Sequence, residues 1–439
     1  VKRPSPPSST SLRVAFADLN GQPRGKRLPA EFEEKVADGG TRAPLSAGNL
    51  DVWGADIERS PLVFETGDAD GVLLPTDRGR VAMPWLSEPT HLYPVSLYAE
   101  DGTPFDGDAR HALVNCLDKY TTLGWQVMAA TEVEFFLLHP ADLTPARGAS
   151  VAGTEDHDHI LSLTALDGFA SFFDDLYAGA TQMGIPAQAA ISESGGGQFE
   201  INLTHQSALR AADDCWLFKQ LIKGTAQKHG LLASFAAKPF PDQAGNGLHV
   251  HFSIVDRTGK NIFDDGTELG HDTLRWAIAG CLGAMAESTL IFAPHAASYD
   301  RLVPNAHAPT GIAWAYENRT TALRVPGGHP AARRIEHRVA GVDANPYLLM
   351  TAVLGAALVG IADQKDAPPP VVGNAYDQDL PQIPTNWADA IRSFEQGPLI
   401  RKVFPQQLIN NFLLTKHQEQ QKVATSQADA LSALYHSLI

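Results

Sequence analysis

Cysteine is scarce in this 439-residue chain: Cys116, Cys215 and Cys281 are scattered, odd in number and free of any CxxC pairing. That excludes a disulfide framework and a zinc ribbon. Positive charge is also in deficit, with 34 Lys and Arg against 50 Asp and Glu and a formal net charge of −16. Nucleic acid and anionic membranes are therefore not expected as partners, because both are held by basic clusters. No GxxxxGK[ST] phosphate loop and no GxGxxG fingerprint occurs, which excludes a P-loop NTPase and a dinucleotide-binding enzyme. The most apolar stretch, about Tyr347 to Ala362, falls short of the ~20 residues that span a bilayer and follows Asn345-Pro346, so it reads as a buried helix. Val1 to Pro7 carries Pro and Ser in place of an apolar core. Residues 1–11 are accordingly expected to be a flexible lead-in without an export signal, and a reducing cytoplasm is the expected compartment.

What is present suits a globular enzyme: 44% apolar and 19% charged residues, in a chain long enough for two domains. From Leu12 to Leu86 short β-rich runs alternate with Gly, Pro and Asp punctuation such as Asn20-Gly21. A small, mostly-β domain over residues 12–107 is expected. Asp108 is a suitable N-cap for a helix with Leu113, Leu117 and Tyr120 on one face and Gly124 past its end. A catalytic domain of α+β class is expected over residues 108–439, including a helix from Phe169 to Met183 stopped by Gly184-Ile185-Pro186.

The strongest signal lies in four segments where acids, histidines or arginines take every second position opposite apolar residues, the pattern of strands with one polar face. They are Glu132-Val133-Glu134-Phe135, Gln198-Phe199-Glu200-Ile201-Asn202, His249-Val250-His251-Phe252-Ser253, and Arg334-Ile335-Glu336-His337-Arg338. The Gly195-Gly196-Gly197 turn is placed to bring Glu193 toward Glu200. Any one of these segments alone fits a strand with one solvated face. Together, five glutamates and histidines on otherwise apolar strands would be costly to bury unless cations compensate them. Oxygen-rich donors with imidazoles suit Mg2+ or Mn2+. Arg301, Arg319, Arg324, Arg334 and Arg338 add planar forks for phosphates and carboxylates, and metals with arginines suggest phosphoryl transfer.

On those segments, together with Asn246-Gly247-Leu248-His249, Asn318-Arg319-Thr320, Arg324-Val325-Pro326 and Asn345-Pro346-Tyr347-Leu348, the sequence resembles the glutamine synthetase superfamily, in its γ-glutamylputrescine synthetase branch. The resemblance runs from about Leu12 almost to the C-terminus. It implies a β-grasp-like N-terminal domain and a catalytic domain whose strands line a funnel. It implies one metal held by Glu134, Glu193 and Glu200 and a second held by Glu132, His249 and Glu336. It places Arg301, Arg338 and the Gly245 backbone at glutamate, Arg319, Arg324 and Arg334 at phosphate, and His251 and Ser253 at the nucleotide. The implied partners are glutamate, ATP and an amine, and the implied assembly is a dodecamer of two stacked hexamers with shared active sites.

Three departures from the family pattern bear on the amine. His307 stands where ammonia-using members carry a loop glutamate, so His307, with Arg319 and Glu193, is a candidate catalytic residue. Asp51 is a shifted counterpart of an ammonium-site aspartate, and Ala244 replaces an asparagine near glutamate. The expectation is therefore a γ-glutamyl amine ligase acting on putrescine, another polyamine or a small monoamine. An ammonia-using glutamine synthetase and a non-catalytic relative are the alternatives.

Overall fold

The computed structural model describes residues 10–148, 160–303 and 308–439. Six strands come first: β1 (Ser11–Ala17), β2 (Pro23–Pro29), β3 (Thr41–Pro44), β4 (Asp70–Pro75), β5 (Val81–Ala82) and β6 (Thr90–Tyr98). They form a sheet in the order β2-β1-β6-β4-β3, with β5 beside β6. The β1–β6 pair is parallel and the pairs outside it are antiparallel, a β-grasp-like arrangement. Thr10 and Ser11, expected within the flexible lead-in, are instead fastened: Thr10 donates to the Pro89 carbonyl from its backbone at 2.8 Å, and Ser11 begins β1 opposite Thr90. Backbone pairing of β1 with a neighbour on each side overrides the local Pro and Ser composition.

Asp108 caps the helix Ala109–Thr122 as expected, its carboxylate accepting from the backbone N–H groups of Arg110 and His111, and Gly124 follows at φ +77°. The larger sheet is built from β7 (Trp125–Leu138), β8 (Ala187–Ser192), β9 (Gln198–Leu203), β10 (Gln206–Ser207), β11 (Leu232–Ser234), β12 (Leu248–Asp256), β13 (Trp314–Tyr316), β14 (Leu323–Val325) and β15 (Ile335–His337). Its order is β13-β14-β15-β12-β7-β9-β8, with β10 and β11 also on β7. The helix Ala170–Met183 ends on Gly184 in the left-handed conformation, in line with the sequence expectation.

One face of β7 anchors the sheet. Val133, Phe135 and Leu137 are fully buried, and the Phe135 ring lies 6.0–6.3 Å from those of Phe172, Phe199 and Phe235. A slip of one residue would drive Glu132 and Glu134 into this aromatic layer, so the apolar face fixes the register that presents the acids. The apolar segment near residue 350 is the helix Pro346–Asp363, capped by Asn345 and mostly buried against the helix Asp272–Phe292, which makes it a core helix. Close approach there depends on Gly280 and Gly360: a Cβ on Gly280 would lie 2.1 Å from the Ala356 carbonyl oxygen. All three cysteines are buried and free.

Candidate active site

Strand register brings the polar faces of five strands into one row. Glu134 on β7 lies opposite Glu200 on β9, and Glu132 lies opposite His249 on β12. His251 on β12 lies opposite Glu336 on β15, which lies opposite Arg324 on β14. Period-two alternation and antiparallel pairing thus convert five separate sequence segments into a continuous surface of acids, imidazoles and guanidinium groups.

The row has two chemically different halves. In the first, both imidazoles reach one carboxylate: His249 Nδ1 is 2.8 Å and His251 Nε2 2.9 Å from Glu132. Burial alone would raise the Glu132 carboxyl, but its hydrogen bonds with His249 and His251 and their charges outweigh it, holding the group well below the usual carboxylate range. Glu336 is fully buried and accepts from Arg324 Nη1 at 2.7 Å and from Arg338 Nη1. Burial opposes its ionisation; the charges of Arg338, His249 and His251 prevail and draw it down to about 2. Arg334 Nε donates to His251 Nδ1 at 3.3 Å, adding a third arginine at the edge of this half.

The second half consists of Glu134, Glu193 and Glu200. Glu134 accepts from the Gly247 backbone N–H at 2.7 Å. Glu193 sits at the end of the glycine turn, where its backbone donates to the Gln198 carbonyl at 3.0 Å and Gly197 holds φ +74°. Burial, then the charges of Glu134 and Glu132, raise the Glu193 carboxyl to about 7 against the opposing charge of Arg319. Burial, then Glu132, Glu134 and Glu193, push Glu200 up to about 10 despite Arg338. Negative charge in this half exceeds what neighbouring side chains offset.

Two sets of potential ligand atoms converge within 4.8 Å: Glu132, Glu200 and His249, and Glu132, His251 and Glu336. These differ in partition from the sets implied by the family resemblance. Glu132 takes part in both, and His251 stands in the second, because both imidazoles on one face of β12 turn toward the same carboxylate. His249 nevertheless also lies 3.9 Å from Glu336. The donors are carboxylate oxygens and imidazole nitrogens without thiolates, and they surround acids whose ionisation is strained; this chemistry fits a hard divalent cation.

The remaining candidates fall into place around this row. Arg301 is buried, donates from Nη1 to the Val339 carbonyl at 2.7 Å, and feels the charges of Glu134 and Asp343. A Cβ on Gly245 would come 2.8 Å from Arg301 Cγ, and one on Gly247 would come 2.9 Å from Arg301 Nη2 and 3.1 Å from both Glu134 Oε1 and His249 Nε2. Glycine at both positions therefore allows backbone and guanidinium to share the site. Arg319 is exposed on its loop, beside Glu193. Ser253 lies one alternate position beyond His251, opposite Met128. His307 lies outside the described residues.

Three features were not assigned a role from sequence. Gln198 donates from Nε2 to the Gly245 carbonyl at 3.0 Å and to Asn246 Oδ1 at 2.9 Å, while its Oε1 accepts from Gly195 N, so it ties the glycine turn to the strand carrying His249. Its position two residues before Glu200 was the available signal. Asp343 accepts from the Ser298 hydroxyl, and burial raises its carboxyl to about 6 near Arg301. Tyr376 buries a hydroxyl without a hydrogen-bond partner among the described residues, near Arg338 and Arg301, and local composition carries no trace of that.

Comparison with known proteins agrees with this geometry. The profile described as glutamine synthetase, catalytic domain, matches residues 106–434. A gamma-glutamylputrescine synthetase of Escherichia coli (strain K12) is 32% identical over 94% of this chain and 89% of its own length. A glutamate–isopropylamine ligase of a Pseudomonas species is 30% identical over 92% of this chain and 90% of its own. A solved structure described as a GmaS complex with ADP has a TM-score of 0.85 at 27% identity, with 96% of both chains covered.

Proposed function

We propose, from the premise that this chain belongs to the glutamine synthetase family of ligases, that it joins the γ-carboxylate of glutamate to an amine, with ATP as co-substrate and putrescine, another polyamine or a small monoamine as acceptor. The observation that carries this reading is the cross-strand row in which Glu134, Glu200, Glu132, His249, His251, Glu336 and Arg324 stand in register. Glu134, Glu193 and Glu200 would hold one divalent cation and Glu132, His249 and Glu336 a second, with Mg2+ or Mn2+ supplying charge neutralisation at the ATP phosphates.

The chain's own groups supply position and fixed charge. Arg301 and Arg338 would grip the amino-acid substrate; Arg338 has a buried Nε without a partner among the described residues, a donor for a carboxylate oxygen. Arg324 and Arg334, already on Glu336 and His251, would face the transferring phosphoryl group, joined by Arg319 from its exposed loop. His251 and Ser253 would border the nucleotide. The γ-carboxylate oxygen attacks the terminal phosphorus of ATP and ADP leaves. The amine nitrogen then attacks the acyl carbon of γ-glutamyl phosphate, phosphate leaves, and the nitrogen loses a proton. His307 is the proposed acceptor of that proton, with an ordinary pKa of ~6.5 suited to the task.

Asp51 supports a larger amine over ammonium. It is fully buried and its oxygens are taken by Lys422, by Gln418 Nε2 at 2.8 Å, and by the backbone N–H groups of Trp53 and Ala55 at 3.1 and 3.0 Å. A carboxylate used in this way is not available to hold an ammonium ion. Relatives named as amine ligases fit the same reading, while others of about 30% identity are named glutamine synthetase. We read the assembly as a homo-dodecamer of two stacked hexamers in the cytoplasm, to be checked by mass in solution and by cell fractionation.

The deciding experiment measures glutamate-dependent ADP release with putrescine, ethanolamine, methylamine, isopropylamine and ammonia. Higher kcat/KM for an alkylamine than for ammonia supports the proposal. Preference for ammonia would make the protein a glutamine synthetase, and no release with any acceptor would make it a non-catalytic relative. His307→Glu should move the ratio toward ammonia by about tenfold, the scale of a ~1.4 kcal/mol change at the transition state; an unchanged ratio removes His307 from amine selection.

A further inference from the structure

A second concentration of charge, of opposite sign, lies where the small sheet meets the helix Ala208–Lys228. There a cleft of about 430 Å3 is lined by Arg13, Arg24, Lys26, Arg27 and Lys223, with no carboxylate side chain among its described lining residues. Of these, Arg13 and Arg27 share the face of β1 and β2 that carries Ala15, whereas Arg24 and Lys26 alternate to the face of Phe16 and Val14. Arg24 alone among them has an acidic partner among the described residues, Asp18 at 2.7 Å. Arg13 and Arg27 are directly opposite one another across the β1–β2 pair, an arrangement in which like charges repel. Among the described residues Arg13 Nη1 finds only weak, neutral contacts, 3.5 Å to Ser11 Oγ and 3.4 Å to the Leu12 carbonyl. Lys223 donates to the Leu438 carbonyl at 2.8 Å and is buried enough that desolvation, with Lys219 nearby, lowers its ammonium to about 7.

The cleft also has a flat apolar wall. Trp85 lies against Gly224 so closely that a Cβ there would fall 2.3 Å from the indole Cγ, so glycine at this point of the helix admits the ring. Arg13 and Arg27, facing one another beside an indole, form a receptor for a negatively charged molecule with a planar body.

We propose that this cleft binds a small organic anion carrying at least two negative charges and a flat apolar body, as in an aryl or nucleoside phosphate, with the anionic group between Arg13 and Arg27 and the body against Trp85. Such a ligand would link β1 and β2 to the helix Ala208–Lys228, away from the strand row of the candidate active site.

The test uses the full-length protein and 1-naphthyl phosphate as probe, followed by equilibrium dialysis and by tryptophan fluorescence. Saturable binding is expected, weakened by at least about tenfold in the K26E/R27E double variant through reversal of two charges within a Debye length, and weakened by added salt. Lys26 and Arg27 are exposed on β2, so the double variant should retain its fold and its glutamate-dependent ADP release. Trp85→Phe should reduce the fluorescence change. Equal affinity in the wild type and K26E/R27E, or no saturable binding, would overturn the proposal. So would a change in oligomer mass in K26E/R27E without probe binding, which would make the cleft a seat for a second copy of the chain.

Discussion

The two halves of the candidate active site lie on neighbouring strands of one sheet, yet solve the burial of carboxylates differently. Glu132 and Glu336 are neutralised from within: two imidazoles serve the first and two guanidinium groups the second. Glu134, Glu193 and Glu200 have, among the described residues, only backbone donors to their carboxylates, Gly247 N at Glu134 and Ser194 N at Glu193, and the more distant fields of Arg319, Arg301 and Arg338. Burial acts in the same direction in both halves. The sign of the net result is set by which partners the opposing strand supplies, so the first half keeps its charge and the second resists it. The second half is where an added cation gains most.

Turnover is the coarsest way to test that contrast, because the proposed reaction draws on both halves. Glu134→Ala and His249→Ala should each reduce glutamate-dependent ADP release by a factor on the order of 10^3 or more, since each would remove a proposed ligand of a cation that neutralises phosphate charge. Chelation of divalent ions should do the same and be reversed by Mg2+ or Mn2+. Wild-type rates in both variants at saturating Mg2+ would end the two-cation reading.

Arg338 connects the halves, donating to Glu336 while its charge reaches Glu200. Arg338→Lys retains the charge and loses the planar fork. Its expected effect is a rise of about ten- to a hundredfold in the KM for glutamate, on the scale of one to two charge-assisted hydrogen bonds. An unchanged dependence on glutamate would leave Arg338 as a structural partner of Glu336 alone.

Stability in the absence of metal should separate the halves in direction. His249→Ala should destabilise by about 1–3 kcal/mol, because Glu132 loses one of its two imidazole partners in a buried setting. Glu200→Gln should stabilise by roughly 1 kcal/mol or more, by removing a carboxyl that resists ionisation. Urea denaturation in a chelating buffer reads both, and changes of the same sign would show that the contrast between the halves is not energetic.

The strand row was legible in the sequence because period-two alternation is local: Glu132-Val133-Glu134-Phe135 declares its two faces without reference to the rest of the chain. The Asp108 cap and Gly184 stop were legible for the same reason, each depending on one residue and its immediate neighbours. Partnership across strands was not. That His251 turns to Glu132, which lies 119 residues away, depends on the register of β12 against β7, which no short window encodes. Asp51 was singled out from its position, but its use by Lys422 depends on a contact 371 residues distant. The basic cleft was hidden by averaging, since a net charge of −16 says nothing about where 34 cations collect.

The smallest expected effect is also the most discriminating, because it assigns a pH dependence of opposite sign to each half. Glu336, drawn down to about 2, contributes stability that is present above its ordinary pKa of ~4.5 and is lost as pH falls toward 2, and Glu132 behaves in the same direction. Glu193 and Glu200, raised to about 7 and about 10, contribute stability that is full below ~4.5 and is lost as pH rises through those values. Lys223, lowered to about 7, acts oppositely in the upper range, since its neutral state in the fold costs less as pH climbs from 7 toward 10.5. Asp18 and Asp343, both raised to about 6, overlap with Glu193. A wild-type profile alone therefore mixes several groups, and the informative quantity is the unfolding free energy of Glu200→Gln minus that of the wild type in metal-free buffer. That difference should grow in favour of the variant from pH 5 to pH 9, with a slope no steeper than about 1.4 kcal/mol per pH unit, the limit for one proton. Saturating Mn2+ should flatten it, because a bound cation favours the ionised carboxylate of the wild type. A difference that is constant with pH in the metal-free protein would mean that Glu200 ionises as freely in the fold as in the unfolded chain, and the two halves would then be electrostatically alike.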